Sequence, residues 1–269
     1  MSGFSADWLS LREPADHAAR DAGLLIRLAE WAAPREPLSI LDLGCGTGSN
    51  ARAMIPHLPG SQNWCLVDYD GALLEIAREK LAAESAHHLR AMTVRTEKAD
   101  LSAGLGALLE EPIDLVTASA LFDLVSKPWL DAMAAALARR DLPLYTVLIY
   151  DGAMEWEPAH PLDEAVREAF NAHQGRDKGF GPAAGAQAGP WLADAFRAAG
   201  YKVIVADSSW QLGKAESALM LANLEGVANA ARETRLIADA ELDAWLAFRR
   251  QGGRCRIGHV DLLALPPKK

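Results

Sequence analysis

Residues 38–48, which read LSILDLGCGTG, carry the strongest structural signal in this chain of 269 residues. Leu38–Leu43 is an apolar run of the length of a buried strand, and it leads directly into a Gly-x-Gly-x-Gly turn. A helical pattern follows from about Asn50 to His57. Glycine tolerates a positive φ and lets a ligand approach the main chain closely. The order of strand, glycine turn and helix therefore predicts a ligand-binding loop at the end of a first strand.

The spacing of these glycines separates two classes of ligand. In the dinucleotide-binding fingerprint the third glycine stands three positions after the second, so that a pyrophosphate can sit on the helix N-terminus. Here Gly48 stands only two positions after Gly46. Residues 41–48 instead resemble the first motif of the class I S-adenosylmethionine (SAM)-dependent methyltransferases, in which an acidic residue precedes Gly-x-Gly-x-Gly. A nicotinamide-dependent dehydrogenase remains a second, less favoured enzyme class.

Short Leu-rich or β-branched runs alternate with helical patterns along most of the chain, which is typical of a parallel α/β sheet. The first helix is predicted over residues 18–32, before Pro34. Six further strands are predicted at Trp64–Asp68, Ala91–Lys98, Ile113–Ala118, Leu144–Tyr150, Tyr201–Ala206 and Ile257–Leu265. We predict a doubly wound α/β fold with a seven-stranded, mostly parallel sheet, an antiparallel terminal strand and helical cap inserts.

The length alone permits one large domain or two small ones, at roughly 100–200 residues per domain. Two segments depart from the alternation, at residues 151–189 and 212–253. We predict a single methyltransferase domain over residues 1–269, with 151–189 as a substrate cap and 212–253 as a helical insert. The apolar positions of the second insert either pack on the sheet or form an interface between copies, so both a monomer and a homodimer stay open.

The resemblance, which covers about residues 15–150, implies one set of residues around the SAM methionine. Asp42 would orient the glycine loop by holding its amides, and the backbone of Gly44, Cys45 and Gly46 would face the cofactor. Cys45 itself is expected to be a small filler, since nothing nearby in the sequence lowers the pKa of its thiol. The remaining members of this set are Ala118 and Ser119, where the methionine half passes, and Arg12, which would meet the cofactor carboxylate unless it forms a surface ion pair.

The resemblance also implies residues for the adenosine half. Asp68 ends the second predicted strand about twenty residues after the glycines, where such enzymes carry an acid that accepts both ribose hydroxyls. Tyr69 would cover the adenine face. Asp100 and Leu101 follow the third strand and would read the adenine edge through a side-chain acceptor and a backbone N–H.

The first insert supplies the candidates for the acceptor site. His173 continues an apolar helical stripe and is either a core residue or a base that contacts the acceptor. Tyr150, at the end of the fifth strand, is a candidate for orienting the acceptor through its phenol. Arg176 and Lys178 follow on a Gly-rich loop and suit an acceptor carboxylate or phosphate, unless they are solvated loop charges.

The composition of the chain limits the classes of binding partner that we expect. The 27 Lys and Arg residues against 36 Asp and Glu give a net charge of −9, opposite to that of a protein that binds nucleic acid through phosphate neutralisation. The string Ser119–Asp123 also lacks the Asn/Asp-Pro-Pro-Tyr signature of base N-methylases and the cysteine of RNA carbon methylases. Three scattered cysteines predict neither a disulfide framework nor a metal site. With no long apolar run, we expect a cytoplasmic protein without a membrane partner.

These observations predict a SAM-dependent methyltransferase that moves a methyl group to a nucleophile on a small-molecule metabolite by in-line displacement, leaving S-adenosylhomocysteine (SAH). A non-catalytic, methyltransferase-like protein that binds SAM or a partner is the alternative from a different class. The sequence leaves open whether oxygen, nitrogen, sulfur or carbon receives the methyl group.

Overall fold

A computed structural model of the chain describes residues 4–85 and 91–267. Within these ranges the helices are α1 (Ala6–Ala19), α2 (Ala22–Ala32), α3 (Ser49–Met54), α4 (Gly71–Ser85), α5 (Lys127–Ala138), α6 (Asp163–Gln174), α7 (Ala188–Ala198), α8 (Ser217–Thr234) and α9 (Asp239–Arg249). The strands are β1 (Leu38–Leu43), β2 (Gln62–Asp68), β3 (Met92–Lys98), β4 (Leu115–Ser119), β5 (Leu144–Glu157), β6 (Lys202–Asp207), β7 (Trp210–Leu212) and β8 (Arg254–Leu265).

All these strands form one sheet in the order β3-β2-β1-β4-β5-β8-β6, and the short β7 pairs with β8. Strands β1 to β5 are parallel to one another, and β8 runs antiparallel to β5, β6 and β7. The chain proceeds outward from β1 to β3 and then returns to add β4 and β5 on the other side of β1. This reversal between β1 and β4 is the point at which open α/β sheets bind ligands, outside the carboxyl ends of the strands.

The predicted fold class is confirmed, including the antiparallel strand at the end of the chain. The strand count is eight in the described part of the chain rather than seven, because β7 was not predicted. Its three residues are too few to show a period. The two faces of the sheet carry separate apolar clusters, one containing Met54 and Trp64 and the other containing Phe122 and Phe196.

The pairing of β5 with β8 is irregular at the carboxyl edge of the sheet. The register between the two strands shifts between Tyr150 and Met154, as in a β-bulge. In the bulge the Asp151 carboxylate accepts a hydrogen bond from the Ala153 amide at 2.8 Å and lies against the backbone of Gly258. Residues 151–157 therefore continue β5 beyond this edge, which corrects the prediction that the strand ends at Tyr150. Helix α6 packs on β5, and β7 pairs with the part of β8 that lies opposite this extension.

The first predicted helix is wrong at its N-terminal end. Residues 18–32 belong to two helices that are separated at Arg20 and Asp21, since the Asp21 carboxylate caps α2 by accepting from the Leu24 amide at 2.7 Å. A full helix, α1, precedes the break and is capped by the Ser5 hydroxyl. Pro14, inside α1, removes one intrahelical hydrogen bond without ending the helix.

Candidate active site

The glycine loop begins where β1 ends, at the reversal in strand order. Gly44, Gly46 and Gly48 have φ values of 63°, 53° and 78°, which side chains rarely adopt. A Cβ added at Gly44 would lie 3.2 Å from a methyl of Leu121, and one at Gly46 would lie 3.1 Å from a methyl of Leu9. The loop backbone thus faces a narrow space whose other walls are the ends of two flexible leucines. This space, which we call the glycine cradle, lies against the backbone of Gly44 and Gly46. A ligand can approach the bare backbone there, whereas a side chain at either glycine would fill the space.

Asp68 holds this loop to the end of β2. Its Oδ2 accepts from the Gly46 amide at 2.8 Å and its Oδ1 accepts from the Asp70 amide at 3.0 Å. The side chain is buried. A carboxylate oxygen can accept two hydrogen bonds, so each oxygen keeps one acceptor position. The carboxylate has the chemistry to accept both hydroxyls of a ribose, as the resemblance implies, while it tethers the loop.

The prediction for Asp42 is corrected, because its carboxylate does not hold the glycine amides. Oδ1 accepts from the Asn50 side-chain amide at 2.7 Å, and the same amide nitrogen lies 3.0 Å from the Thr117 hydroxyl. Arg20 donates to the side-chain oxygen Oδ1 of Asn50 at 2.9 Å. Burial raises the pKa of Asp42 to about 7, against the opposing effects of Asn50 and Arg20. Asp42 therefore orients the loop indirectly, by fixing the start of α3.

Four other predicted cofactor residues lie in the glycine loop or just after β2 and β3. Cys45 is buried, and burial raises the pKa of its thiol well above the ordinary value, which agrees with a filler role. Tyr69 is half-buried next to Asp68. The exposed Asp100 accepts from the Ser102 amide at 2.9 Å, while the Leu101 carbonyl accepts from the Trp129 indole at 2.7 Å.

The end of β4 lies directly over the loop. Ala118 is buried and Ser119 is half-buried at the end of the strand, and Ala120 takes a positive φ of 51°. The chain then forms a 3-10 turn over Phe122–Leu124, in which Asp123 is only 8% exposed. The Oδ1 atom of Asp123 is buried and has no hydrogen-bond partner in the described part of the chain. The structure thus places a buried, unpaired carboxylate in the turn after β4, two residues from Leu121, which contacts the position of a Gly44 side chain.

Arg12 lies within helix α1, not before the first helix as predicted. Its guanidinium forms two hydrogen bonds with Asp16, at 2.8 and 3.1 Å, and lies 4.9 Å from the centre of the Trp210 ring. The Trp210 indole also donates to Asp16 at 3.0 Å. Helix α1 is therefore fixed to β7 and forms a wall of the cleft, with Arg12 near Asp123 and Leu9 over the loop.

The predicted acceptor residues gather on one side of the cleft. The Tyr150 hydroxyl donates to the Asn171 side chain at 2.7 Å, and burial raises the pKa of this phenol. Both ring nitrogens of His173 have partners, with Glu233 at 3.0 Å from Nε2 and Lys178 at 3.3 Å from Nδ1. The roles that we predict for these residues remain predictions.

The fourth predicted acceptor residue, Arg176, is turned towards helix α8. It lies near Glu233 of that helix, to whose backbone carbonyl it donates at 3.1 Å. Burial lowers the pKa of Lys178, the neighbouring loop cation. Only Lys178 of this pair is close enough to Asp123 to act on it electrostatically.

Besides Asp123, two residues of the cleft, His259 and Trp210, were not identified from the sequence. His259 on β8 packs edge to face against Tyr150 and lies 5.2 Å from the ring of Trp210, centre to centre. Burial lowers its pKa to about 3, so the imidazole is neutral. A single His or Trp in an apolar run carries no local signal. The signal for Asp123 was available, since an acid directly after an apolar turn at the carboxyl end of β4 points to the cleft.

Across the described residues, no cluster of three or more His, Cys, Asp or Glu side chains could hold a metal ion. The same part of the chain has no helix that is long and apolar enough to cross a membrane. The described groups that the cleft offers to a ligand include the backbone of the glycine loop, the carboxylates of Asp68 and Asp123 and the cations Arg12 and Lys178.

Comparison with known proteins gives a family match for the segment that holds this cleft. Residues 40–140 match a family model described as a methyltransferase domain. The fold is similar to that of the YcgJ protein from Bacillus subtilis, at 15% identity over 92% of this chain and 98% of that chain, with a TM-score of 0.50. It is also similar to a cyclopropane-fatty-acyl-phospholipid synthase-like protein from Lactobacillus casei, at 17% identity over 98% of this chain and 95% of that chain, with a TM-score of 0.53. No curated protein sequence matches the chain significantly.

The similarity to the two solved structures concerns the fold. The family match runs from within β1 to just after α5, and this segment contains the glycine loop, Asp68 and the turn after β4. The motif that first suggested SAM lies inside the matched segment. Residues 40–140 therefore match a methyltransferase domain, and the chain has the fold of the two solved structures.

Proposed function

We propose that this enzyme transfers the SAM methyl group to a nucleophile on a small polar metabolite. The observation that carries the proposal is the burial of the cleft floor. Asp123 and Tyr150 are 8% and 5% exposed beneath α1 and the loop that follows α6. A nucleophile on a duplex or a folded macromolecule would have to pass between these walls, whereas a small molecule needs only a narrow opening. The net charge of −9 also favours a small-molecule acceptor over nucleic acid.

On this proposal the chain holds the cofactor through the glycine loop and the ends of β2 to β4. The backbone of Gly44 to Gly46 lines the methionine half, and Asp68 accepts from the ribose hydroxyls. Tyr69, Asp100 and Leu101 stand at the adenine, while Ala118 and Ser119 border the methionine half. When bound, SAM supplies an electrophilic methyl group on a sulfonium.

The acceptor side of the proposal includes Tyr150, His173 and Lys178. Asn171 and Glu233 fix the first two by hydrogen bonds, so both residues suit positioning of the acceptor. Lys178 suits an anionic group on the acceptor, and Arg176 stands at the outer rim. Arg12 is committed to Asp16, but its remaining N–H groups still suit the cofactor carboxylate.

Binding of the cofactor is tested by calorimetry with SAM and SAH on the wild type and Asp68→Asn. An amide in place of the carboxylate removes charge-assisted hydrogen bonds, so we expect affinity to fall by about 1–3 kcal/mol. Asp70→Asn is the matched control, because Asp70 is the next acid along the chain and, among the residues that the structure describes, its side chain accepts from the Ala72 amide at the start of α4. Equal affinities in all three proteins would remove Asp68 from the site.

The class of acceptor is tested with SAM labelled in the methyl group. The enzyme is incubated with pools of small hydroxylated and aminated metabolites and, separately, with bulk tRNA and duplex DNA. We expect label in the small-molecule pools alone. Label that enters only tRNA or DNA would contradict a small-molecule acceptor while leaving SAM binding intact.

A further inference from the structure

Asp123 is a charged group whose burial the fold alone does not explain. Its side chain is almost fully buried in the turn after β4, and its Oδ1 has no partner among the described residues. A buried polar atom without a hydrogen bond costs free energy, and a bound group that donates to it would remove that cost. Burial raises the pKa of Asp123 to about 6, so the carboxyl group is mostly ionised at neutral pH.

Three elements bring charged or titratable groups towards this carboxylate. Arg12 comes from α1, Lys178 from the loop after α6, and Tyr150 from β5. Neither cation forms a direct ion pair with Asp123: Arg12 is held by Asp16, and Lys178 is directed to His173. The two positive charges therefore favour the ionised carboxylate without occupying Oδ1.

The other titratable groups at this cleft are poorer proton acceptors. Tyr150 donates its hydroxyl proton to Asn171, and burial raises the pKa of the phenol. Both nitrogens of His173 are engaged. His259 is a very weak base, since burial lowers its pKa to about 3. Asp123 combines a basic carboxylate with a free acceptor atom.

Its position relative to the cradle supports a role next to the reacting atoms. Leu121, two residues earlier in the same turn, contacts the position of a Gly44 side chain, and Leu9, on the helix that carries Arg12, contacts that of Gly46. Asp123 thus shares a turn with a residue that contacts the glycine loop, and it interacts electrostatically with α1 and with the loop after α6, so it borders the region where cofactor and acceptor would meet.

We propose that Asp123 is the catalytic base, whose Oδ1 takes the proton from the acceptor's nucleophilic group, and that this group is an O–H or N–H. As the acceptor atom forms its bond to the methyl carbon, the bond from that carbon to sulfur breaks with its electron pair on sulfur, and the released proton passes to Asp123. A thiolate or carbanion acceptor would need no such base. The inference rests on the proposed function and specifies the substrate class of the same site.

The test needs no knowledge of the acceptor. Sinefungin is a SAM analogue that carries an amine in place of the transferable methyl group, so its amine marks the position that faces the acceptor. Calorimetry gives the dissociation constants of sinefungin and SAH for the wild type, Asp123→Asn and Asp114→Asn. Asp114 precedes β4 at the opposite edge of the sheet and accepts from the Ser39 amide, which makes it a matched control.

We expect the wild type and Asp114→Asn to prefer sinefungin to SAH by the same factor, and Asp123→Asn to lose at least tenfold of that preference with SAH affinity unchanged within twofold. An unchanged preference in Asp123→Asn would overturn the inference and leave the proposed function standing. Failure of the wild type to bind SAH at all would instead overturn the proposed function, and this inference with it.

Discussion

The Asp42 carboxyl is fully buried in β1, where Asn50 donates to Oδ1 and no group of the described chain reaches Oδ2. Burial raises its folded-state pKa to about 7, from about 3.9 in the unfolded chain. The folded protein therefore keeps a proton that the unfolded chain releases. Its stabilising contribution is complete below about pH 4 and is lost as the pH rises through 7.

We predict that Asp42→Asn removes this pH dependence. The free energy of unfolding, measured with urea from pH 4 to 8, should fall with pH more steeply in the wild type than in the variant. The free energy of unfolding of the variant minus that of the wild type should increase by about 2–4 kcal/mol from pH 4 to pH 8. Other titrating groups contribute equally to both proteins and cancel.

Asp207→Asn is a control of opposite sign. The Ser209 hydroxyl, its largest influence, and Arg256 lower the pKa of Asp207, so the wild-type carboxylate stabilises the fold above about pH 4. Its removal should cost more at pH 7 than at pH 3. Parallel stability curves for wild type and Asp42→Asn would show that the Asp42 pKa is close to its ordinary value.

At the residue scale, the sequence was informative where chemistry and spacing are local. The glycine loop and Asp68 follow from a motif, because their backbone and charge requirements act over a few residues. The contacts of Arg12 with Trp210, of Asp42 with Asn50 and of His173 with Glu233 could not be predicted, since each joins different elements of the fold. Arg12, for example, stacks on Trp210, which lies almost two hundred residues along the chain.

At the scale of elements, the bulge between β5 and β8 has a specific steric requirement. A Cβ added at Gly258 would lie 2.0 Å from Asp151 Oδ1, a distance that real Cβ atoms do not reach. Asp151 is itself held by its bond to the Ala153 amide. Glycine at position 258 is therefore needed for space, not for a positive φ, and the clash depends on one carboxylate.

We predict that Gly258→Ala destabilises the protein by about 1–3 kcal/mol and that Asp151→Ala in the same chain restores part of the loss. The free energies of unfolding of the two single variants and the double variant form a cycle that measures the coupling. We expect a coupling of about 1 kcal/mol or more, in the direction of rescue. Additive losses would mean that the chain already relaxes around position 258.

Strand prediction succeeded for elements whose apolar runs pack on both faces, as Leu38–Leu43 does. It failed for the extension of β5, where polar residues and Gly152 interrupt the run as the strand bends away from the main sheet. Helix α1 was not predicted for two reasons. Its residues show no clear apolar stripe in the sequence, and Pro14 within it resembles a signal that ends a helix.

At the scale of the whole molecule, we propose that the chain is one domain. Strand β8 follows α8 and α9 and then pairs with β5, β6 and β7, so the segment 212–253 begins and ends within the same sheet. The segment 151–189 likewise starts in β5, and its helix α6 packs on α8. Apart from two isolated bridges, Asp177 with Pro182 and Ser126 with Ala183, the strand pairings of the described residues in both segments belong to this one sheet.

Ligand binding tests this unity. If the described elements unfold together, SAH at about one hundred times its dissociation constant should stabilise all of them by about 2.7 kcal/mol, or on the order of 5–10 °C in Tm. Hydrogen exchange should then slow by the same factor in the slowest amides of α8 and α9 as in those of β1 and β4, although α8 and α9 lie outside the proposed cofactor contacts. Asp68→Asn at the same SAH concentration is the control and should show a smaller shift. Protection confined to β1–β4, with α8 and α9 unchanged, would show that the helical insert unfolds as a separate unit.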